Sequence, residues 1–441
     1  MNTIYRKAAI KMGYIVLIGV IVLAAVVGAY YYSIITTPKP KVKIAVVSDT
    51  GGRGDLAFND MAFKGGADAE KDFDVNMTVL ISSTEADYIP NLETAAKDPE
   101  VKLIVGVGYL LSDALASVAP THTDKFYVGI DTYAQSIIQS KDPGKYPLPN
   151  LMDIVFEEHK GAALAGALAA LLAIQYQKPN IGTVLGMEIP VLWKFEIGYK
   201  WGADWAIEWY KTKYSINEPL GIGVTPKKER VLWTYTGSFG DVPKGYEAAK
   251  AMFAKDAVAI FNVAGLTGMG INQAVQEIAK DKSLTIGPPF MIGVDADQDW
   301  INPGFVIASM MKRVDKGVYY GTKLVVNDKF KSAVKDNNGV ITLGIGTKVA
   351  GDVMEGISLS SLTELDEFIK MGQDAEALTG KKVLPMSPDS IKSAVKSMRD
   401  GQPSWIWDAV NELQTKIANG QVTVPLVMTK EAVDQWRETL G

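Results

Sequence analysis

Beyond residue 42, apolar and polar positions alternate in blocks. Short β-branched runs at 44–48, 75–82, 103–107, 126–130 and 151–156 are separated by stretches of helical spacing at 59–74, 88–97 and 112–119. Apolar runs this short, flanked by helices, read as strands of a parallel sheet buried on both faces. The rhythm restarts with an Ala/Leu helix at 160–175, a strand at 180–185 and a Trp-rich helix at 194–213. Strands at 230–236 and 258–263 follow, with helices at 243–254 and 270–280. The pattern predicts two α/β lobes. The Ala/Leu helix begins with charge and is too short for a membrane span, so it reads as a helix packed closely on a sheet. A strand at 290–294 ends in a polar turn like those of the first lobe, which places a crossing back into that lobe there. The expected division is 42–152 with 290–335 as lobe 1, 153–289 with 336–362 as lobe 2, and 363–441 as a C-terminal helical extension.

Residues 1–41 differ from the rest. Positions 12–35 carry no charge and exceed the ~20 residues that span a bilayer. Arg6, Lys7 and Lys11 precede the run, which puts the N-terminus in the cytoplasm and the remainder outside. The run is too long for a signal peptide's apolar core, and tyrosines stand where a cleavage site needs small residues. An uncleaved single-pass anchor in the cell membrane is expected, with Thr36 to Pro40 as a tether.

Composition removes several function classes. The 441 residues carry a formal charge of −5 and no long basic run, so nucleic acid is not the expected partner. The absence of cysteine excludes disulfides, thiolate chemistry and a lipid-modified cysteine. With only His122 and His159, neither a metal site nor a His-driven triad is expected, and no cofactor is implied. His159, in Glu157-Glu-His-Lys160, reads as a polar surface residue.

Candidate chemistry sits at strand ends. The turn Arg53-Gly-Asp-Leu-Ala-Phe-Asn-Asp60 follows the first strand, where open α/β sheets place ligands. Either Asp55 or Asn59 caps the next helix and Phe58 anchors a core, or the three meet a ligand. Gly108, in Gly106-Val-Gly-Tyr109, lets a ligand approach backbone or makes a tight turn. Gly129-Ile-Asp131 and Gly293-Val-Asp295 match each other. Each Asp can accept bonds from ribose hydroxyls or base N–H groups, or can cap a helix. Trp193, Phe195 and Tyr199 form either a core stripe or, with Phe195 opposite Phe58, a sandwich for a flat base. Gly265-Leu-Thr-Gly-Met-Gly270 lacks a Walker lysine, and Lys312 is either a ligand donor or a surface charge.

Together these motifs, with Gly161 through Gly166, Gly198-Tyr199 and Gly237-Ser-Phe-Gly-Asp241, resemble the basic membrane protein family of ABC-transporter solute receptors over about residues 43–358. The resemblance implies a type I periplasmic-binding-protein fold: two doubly wound α/β lobes joined by a three-crossing hinge. It implies a purine nucleoside between the lobes, Phe58 and Phe195 on the base, Asn59 and Asp131 at its polar edge, Asp295 and Lys312 on the ribose, and Gly265 near the sugar. Trp193 and Trp233 would add rings near that cleft, and Asp55 would shape the loop. An ABC permease with its ATPase is the implied partner, and no catalysis is expected. A surface ligand sensor, or a nucleoside hydrolase using the Asp pair, are the alternatives.

Overall fold

The computed structural model describes residues 42–349 and 351–440. The expected membrane span and tether lie outside them. Among the described residues no helix is long and apolar enough to cross a membrane. The apolar runs form β1 (Val42–Val47), β2 (Val75–Leu80), β3 (Val101–Val107), β4 (Phe126–Ile130) and β5 (Leu151–Phe156). Then come β6 (Asn180–Leu185), β7 (Val231–Tyr235), β8 (Ala257–Val263), β9 (Phe290–Asp295), β10 (Val306–Lys312), β11 (Val340–Leu343) and β12 (Ile357–Leu359). They assemble into two six-stranded sheets. The first has the order β11-β5-β4-β3-β1-β2 and is parallel throughout. The second has the order β12-β10-β9-β8-β6-β7 and is parallel except for β12.

Helices α1 (Phe58–Asp72), α2 (Tyr88–Lys97), α3 (Ser112–Val118) and α4 (Ala134–Lys141) belong to the first lobe. The second holds α5 (Glu158–Gln175), α6 (Pro190–Tyr214), α7 (Val242–Phe253) and α8 (Gly268–Asp281). After β10 the chain returns to lobe 1 as α9 (Val314–Val326), which packs on α1 and β4, and α10 (Phe330–Asp336). It therefore crosses between lobes three times: from β5 to α5, from β10 to α9, and from β11 to β12.

The expected lobe boundaries need correction. Residues 290–312 lie in the second sheet as β9 and β10, whereas β5 and β11 lie wholly in the first. The reason is local: strands of both sheets end in polar turns at the same cleft, so a strand end alone does not say which sheet carries it. The crossing comes two strands later, at Arg313.

The Ala/Leu helix α5 is buried on every side, which explains why its composition resembles a membrane span without the length. Against it α6 packs at backbone contact: a Cβ on Gly198 would stand 2.3 Å from the His159 carbonyl oxygen, and one on Gly202 2.0 Å from that of Ala163. His159, expected at the surface, is 5 % exposed, and burial pushes its pKa down to about 4. Its flanking charges hide the fact that Glu158, His159 and Gly161 in the first turn of α5 are enclosed.

The C-terminal helices α11 (Leu365–Thr379), α12 (Pro388–Asp400), α13 (Ser404–Ala418) and α14 (Lys430–Leu440) are part of one compact unit with the lobes. Three of them clothe lobe 2: α12 lies on β10, α13 on α5 and α14 on α6. Arg399 of α12 pairs with buried Asp299 and donates to Ser360 Oγ (2.6 Å), Ser360 O (3.1 Å) and Ile307 O (3.1 Å). From α11, Glu367 reaches Lys64 of lobe 1 at 2.5 Å.

Candidate functional site

The carboxyl ends of β1, β3 and β4 face those of β8 and β9 and the first turns of α6 across a cleft between the lobes. The cleft holds about 620 Å³ of space free of protein atoms, open solvent at its mouth included.

On the lobe 1 side, two carboxylates shape the turn before α1. Asp55 accepts from the backbone N–H of Ala57 (3.0 Å), Asn59 (2.9 Å) and Asp60 (3.2 Å), while Asp60 accepts from Gly54 (3.0 Å) and Leu56 (2.9 Å). The bonds from Asn59 and Asp60 satisfy two free amides in the first turn of the helix, so Asp55 acts as its cap from two residues ahead of the usual position. Burial raises the Asp55 pKa, the Asp60 charge adds to that, and the amide donors oppose it. The turn thereby fixes Phe58 and Asn59 at the cleft wall. Asn59 Nδ2 donates to Asp49 Oδ1 at 2.8 Å and Asp55 Oδ2 at 3.2 Å. Its Oδ1 is buried without a partner.

Asp131, the residue after β4, and Asp295, the last of β9, share one backbone state, with φ of 63° and 64°. Left-handed backbone is uncommon outside glycine, tolerated best by Asp and Asn, and clusters at functional sites. The two carboxylates converge from opposite lobes on Lys312, the last residue of β10, and all three residues are buried. Lys312 forms an ion pair with Asp131 and another, at 2.8 Å, with Glu158. Glu158 also pairs with Lys194 of α6. Burial raises Asp131 and pushes Asp295 up to about 7, with the Lys312 charge opposing. For Glu158 the two lysines outweigh burial and hold the carboxyl below the usual range. Asp131 Oδ1 is buried without a hydrogen-bond partner. Buried polar atoms are almost always paired, so Asn59 Oδ1 and Asp131 Oδ1 are acceptors suited to a ligand's N–H or O–H groups.

The ring of Phe58 in lobe 1 and that of Phe195 in lobe 2 lie with their centroids 5.1 and 5.7 Å from Lys312 Nζ. Gly108, at φ 111°, lines the lobe 1 wall, where a Cβ would meet Asp49 Oδ2 at 2.7 Å. Gly265, at φ 54°, lines the wall opposite.

Of the residues expected at a site, Asp55, Phe58, Asn59, Gly108, Asp131, Phe195, Gly265, Asp295 and Lys312 line this one cleft. Trp193 does not. It packs with Ile197 against Val427, Val433 and Leu440 of the C-terminal segment. Two positions along a helix turn a side chain by about 200°, so Phe195 facing the cleft sends Trp193 to the far side. Trp233 also lies elsewhere, with Lys200 Nζ 4.3 Å and Arg437 Cζ 4.7 Å from its ring. Asp49, Tyr109, Phe239, Glu158 and Lys194 were not singled out as site residues. Asp49 had a signal, since it ends an apolar strand as Asp131 and Asp295 do. Glu158 and Lys194 sit among other charged and aromatic positions and had none.

Among the described residues, one acidic trio lies within metal-ligand reach, Asp68, Asp315 and Glu367. The Lys64 ammonium stands among them at 2.6, 3.2 and 2.5 Å, so the trio reads as a cation's ion-pair shell.

Comparison with known proteins places this geometry. The family model for PnrA-like ABC transporter substrate-binding proteins matches residues 41–218 and 219–370. A lipoprotein of Pyrococcus abyssi is 32% identical over 98% of this chain and 95% of its own length. Basic membrane protein D of Borreliella burgdorferi is 28% identical over 76% of this chain and 86% of its own. The crystal structure of an ABC transporter solute-binding protein from Aeropyrum pernix superimposes with a TM-score of 0.74 at 30% identity, covering 90% of this chain and 97% of that one. The two-lobed architecture is thus that of the periplasmic-binding-protein class. The chain belongs to the basic membrane protein family, the PnrA-like substrate-binding proteins of ABC transporters.

Proposed function

We propose that this protein is a membrane-tethered extracytoplasmic receptor that binds a purine nucleoside between its lobes and delivers it to an ABC permease and its ATPase. The observation that carries the reading is the placement of Phe58 and Phe195, one ring from each lobe, about a single buried ammonium. A flat base stacks between two such faces, with each stacking contact contributing about 1–3 kcal/mol. Asn59 and Asp131 hold the base's donor-bearing edge through their unpaired oxygens, and Asp295 and Lys312 hold the ribose. Gly108 and Gly265 let backbone approach the ligand, while Asp55 keeps the loop in shape.

The charge balance favours a neutral ligand. Asp131 and Glu158 already offset Lys312 and Lys194, and each further carboxyl that ionises, Asp295 first among them, adds repulsion for a phosphate. A ligand touching both lobes stabilises the closed arrangement by its differential affinity, and that closure tells the permease the receptor is loaded. Relatives named as lipoproteins and membrane proteins support a membrane-associated domain. This chain has no cysteine to carry a lipid, so the apolar run 12–35 is its anchor. A thermal-shift series on the full-length chain with adenosine, guanosine, inosine, cytidine and ribose tests the reading. Purine nucleosides should raise the melting temperature most, and a response to ribose alone would point to a sugar receptor.

A further inference from the structure

The ion pairs at the first two lobe crossings carry an inference that rests on the nucleoside reading. Glu158 is fully buried and stands behind Lys312, outside the residues that line the cleft. It opens α5, directly after the β5 crossing, and Lys312 closes β10, directly before the next one. Lys312 Nζ donates to Asp131, and Glu158 Oε1 stands 2.8 Å from it as an ion-pair partner on another side. The remaining space around Nζ is bounded by the rings of Phe58, Phe156 and Phe195 at 5.1, 5.2 and 5.7 Å. Lys194, carried by lobe 2, balances the second oxygen of Glu158 and donates across to lobe 1, to Phe156 O at 3.1 Å and Tyr133 Oη at 3.4 Å.

We propose that Glu158 is a positioning residue for ligand capture: it fixes the Lys312 ammonium so that one N–H points at the ligand between Phe58 and Phe195. Through Lys194, that geometry holds only when the lobes are together. An ammonium bonded to Asp131 and drawn by the Glu158 charge keeps one position and one orientation, whereas one held by Asp131 alone swings about that bond. Lys194 is the closure-dependent part, because its lobe 1 acceptors separate from α6 when the cleft opens. The ionisable groups facing the cluster are Asp131 from β4, Asp295 from β9, Tyr133 before α4, His159 beside Glu158, and Lys194 from α6.

The test uses the full-length chain in detergent with isotope-labelled lysine. The Lys312 Nζ signal, assigned with a Lys312→Arg sample, is followed against pH by NMR, and nucleoside affinity is measured beside it. In the wild type the carboxylates around Lys312 outweigh burial and hold its titration above the ordinary lysine value. In Glu158→Gln, Lys312 loses one carboxylate and faces the Lys194 charge, so its titration should move down by about one pH unit or more. Affinity should fall about tenfold or more. Removing the second charge in Glu158→Gln/Lys194→Met should return the titration upward and leave affinity below wild type. An unmoved titration in Glu158→Gln overturns the proposal whatever ligand binds, and so does a moved titration with unchanged affinity. If Glu158→Gln does not fold, the double variant, which strands no charge, decides: wild-type affinity there overturns the proposal. Failure of every nucleoside to bind the wild type removes the nucleoside reading alone, and the titration still judges Glu158.

Discussion

Lys312 Nζ lies 2.8 Å from Glu158 Oε1, and the two residues stand at separate crossings between the lobes. The hinge and the ligand cleft therefore share a buried ion pair. A residue that touches the ligand is tied through one contact to the backbone that must bend when the cleft opens.

Phe195 and Trp193 separate ligand contact from core packing. Phe58→Ala and Phe195→Ala should each weaken nucleoside binding by about 1–3 kcal/mol, roughly tenfold to a hundredfold. Trp193→Ala should leave affinity unchanged and destabilise the fold by about 3–5 kcal/mol, because its ring fills the contact with Val427, Val433 and Leu440. Titration calorimetry and denaturant unfolding distinguish the two outcomes. Equal affinity loss at both positions would mean that α6 is rotated.

The α5–α6 contact tolerates no side chain at Gly198. A methyl group there would lie 2.3 Å from the His159 carbonyl oxygen, so Gly198→Ala should force the helices apart. The expected cost is about 1–3 kcal/mol or more, read as a lower denaturation midpoint. A neutral substitution would contradict the close packing of these helices.

The C-terminal extension should behave as part of lobe 2. Arg399→Met leaves Asp299, 1 % exposed, without its cation. Stranding a buried charge costs about 3–5 kcal/mol, so the melting temperature of the whole chain should drop in one cooperative transition. A separate early transition with the lobes intact would show the extension to be independent.

Protons should affect stability and binding in opposite directions. Burial raises both Asp153 and Asp295 to about 7. Between their unfolded values near 4 and pH 7 the folded state binds more protons than the unfolded one, so lowering the pH from 7.5 to 5 stabilises the unliganded protein. His159, depressed to about 4, works the other way across pH 4–6.5, with one proton against those of Asp153 and Asp295 and of Asp55 and Asp131, which burial also raises. Ligand hydroxyls need the ionised Asp295, so nucleoside affinity should fall as the pH drops below about 7. Asp295→Asn should bind more weakly and lose that pH step. Thermal melts and calorimetry at matched pH values check both signs.

The elements were legible because each buried strand is a short apolar run and each helix keeps its period. The cleft was legible at Asp131 and Asp295, whose Gly-x-Asp strand ends recur in the two lobes, and at Phe58 and Asn59 after β1. Which sheet owned β9 and β10 was not, because strand order is set by long-range pairing and not by local pattern. The burial of His159 and Glu158 is hidden in the sequence for a related reason. Charge at a helix start suggests solvent, and only the packing of α6 across α5 shows that the turn is enclosed. The side that Trp193 faces is hidden too, because an aromatic stripe does not say which of its rings faces inward.

Titration calorimetry of the full-length chain in detergent, with adenosine, guanosine, inosine, cytidine and free ribose, tests the central claim most directly. The account predicts one-to-one binding of at least one purine nucleoside at micromolar Kd or tighter, about −8 kcal/mol, lost on replacing Phe58 and Phe195 together with Ala. No nucleoside binding better than millimolar, or equal binding by the double variant, would contradict it.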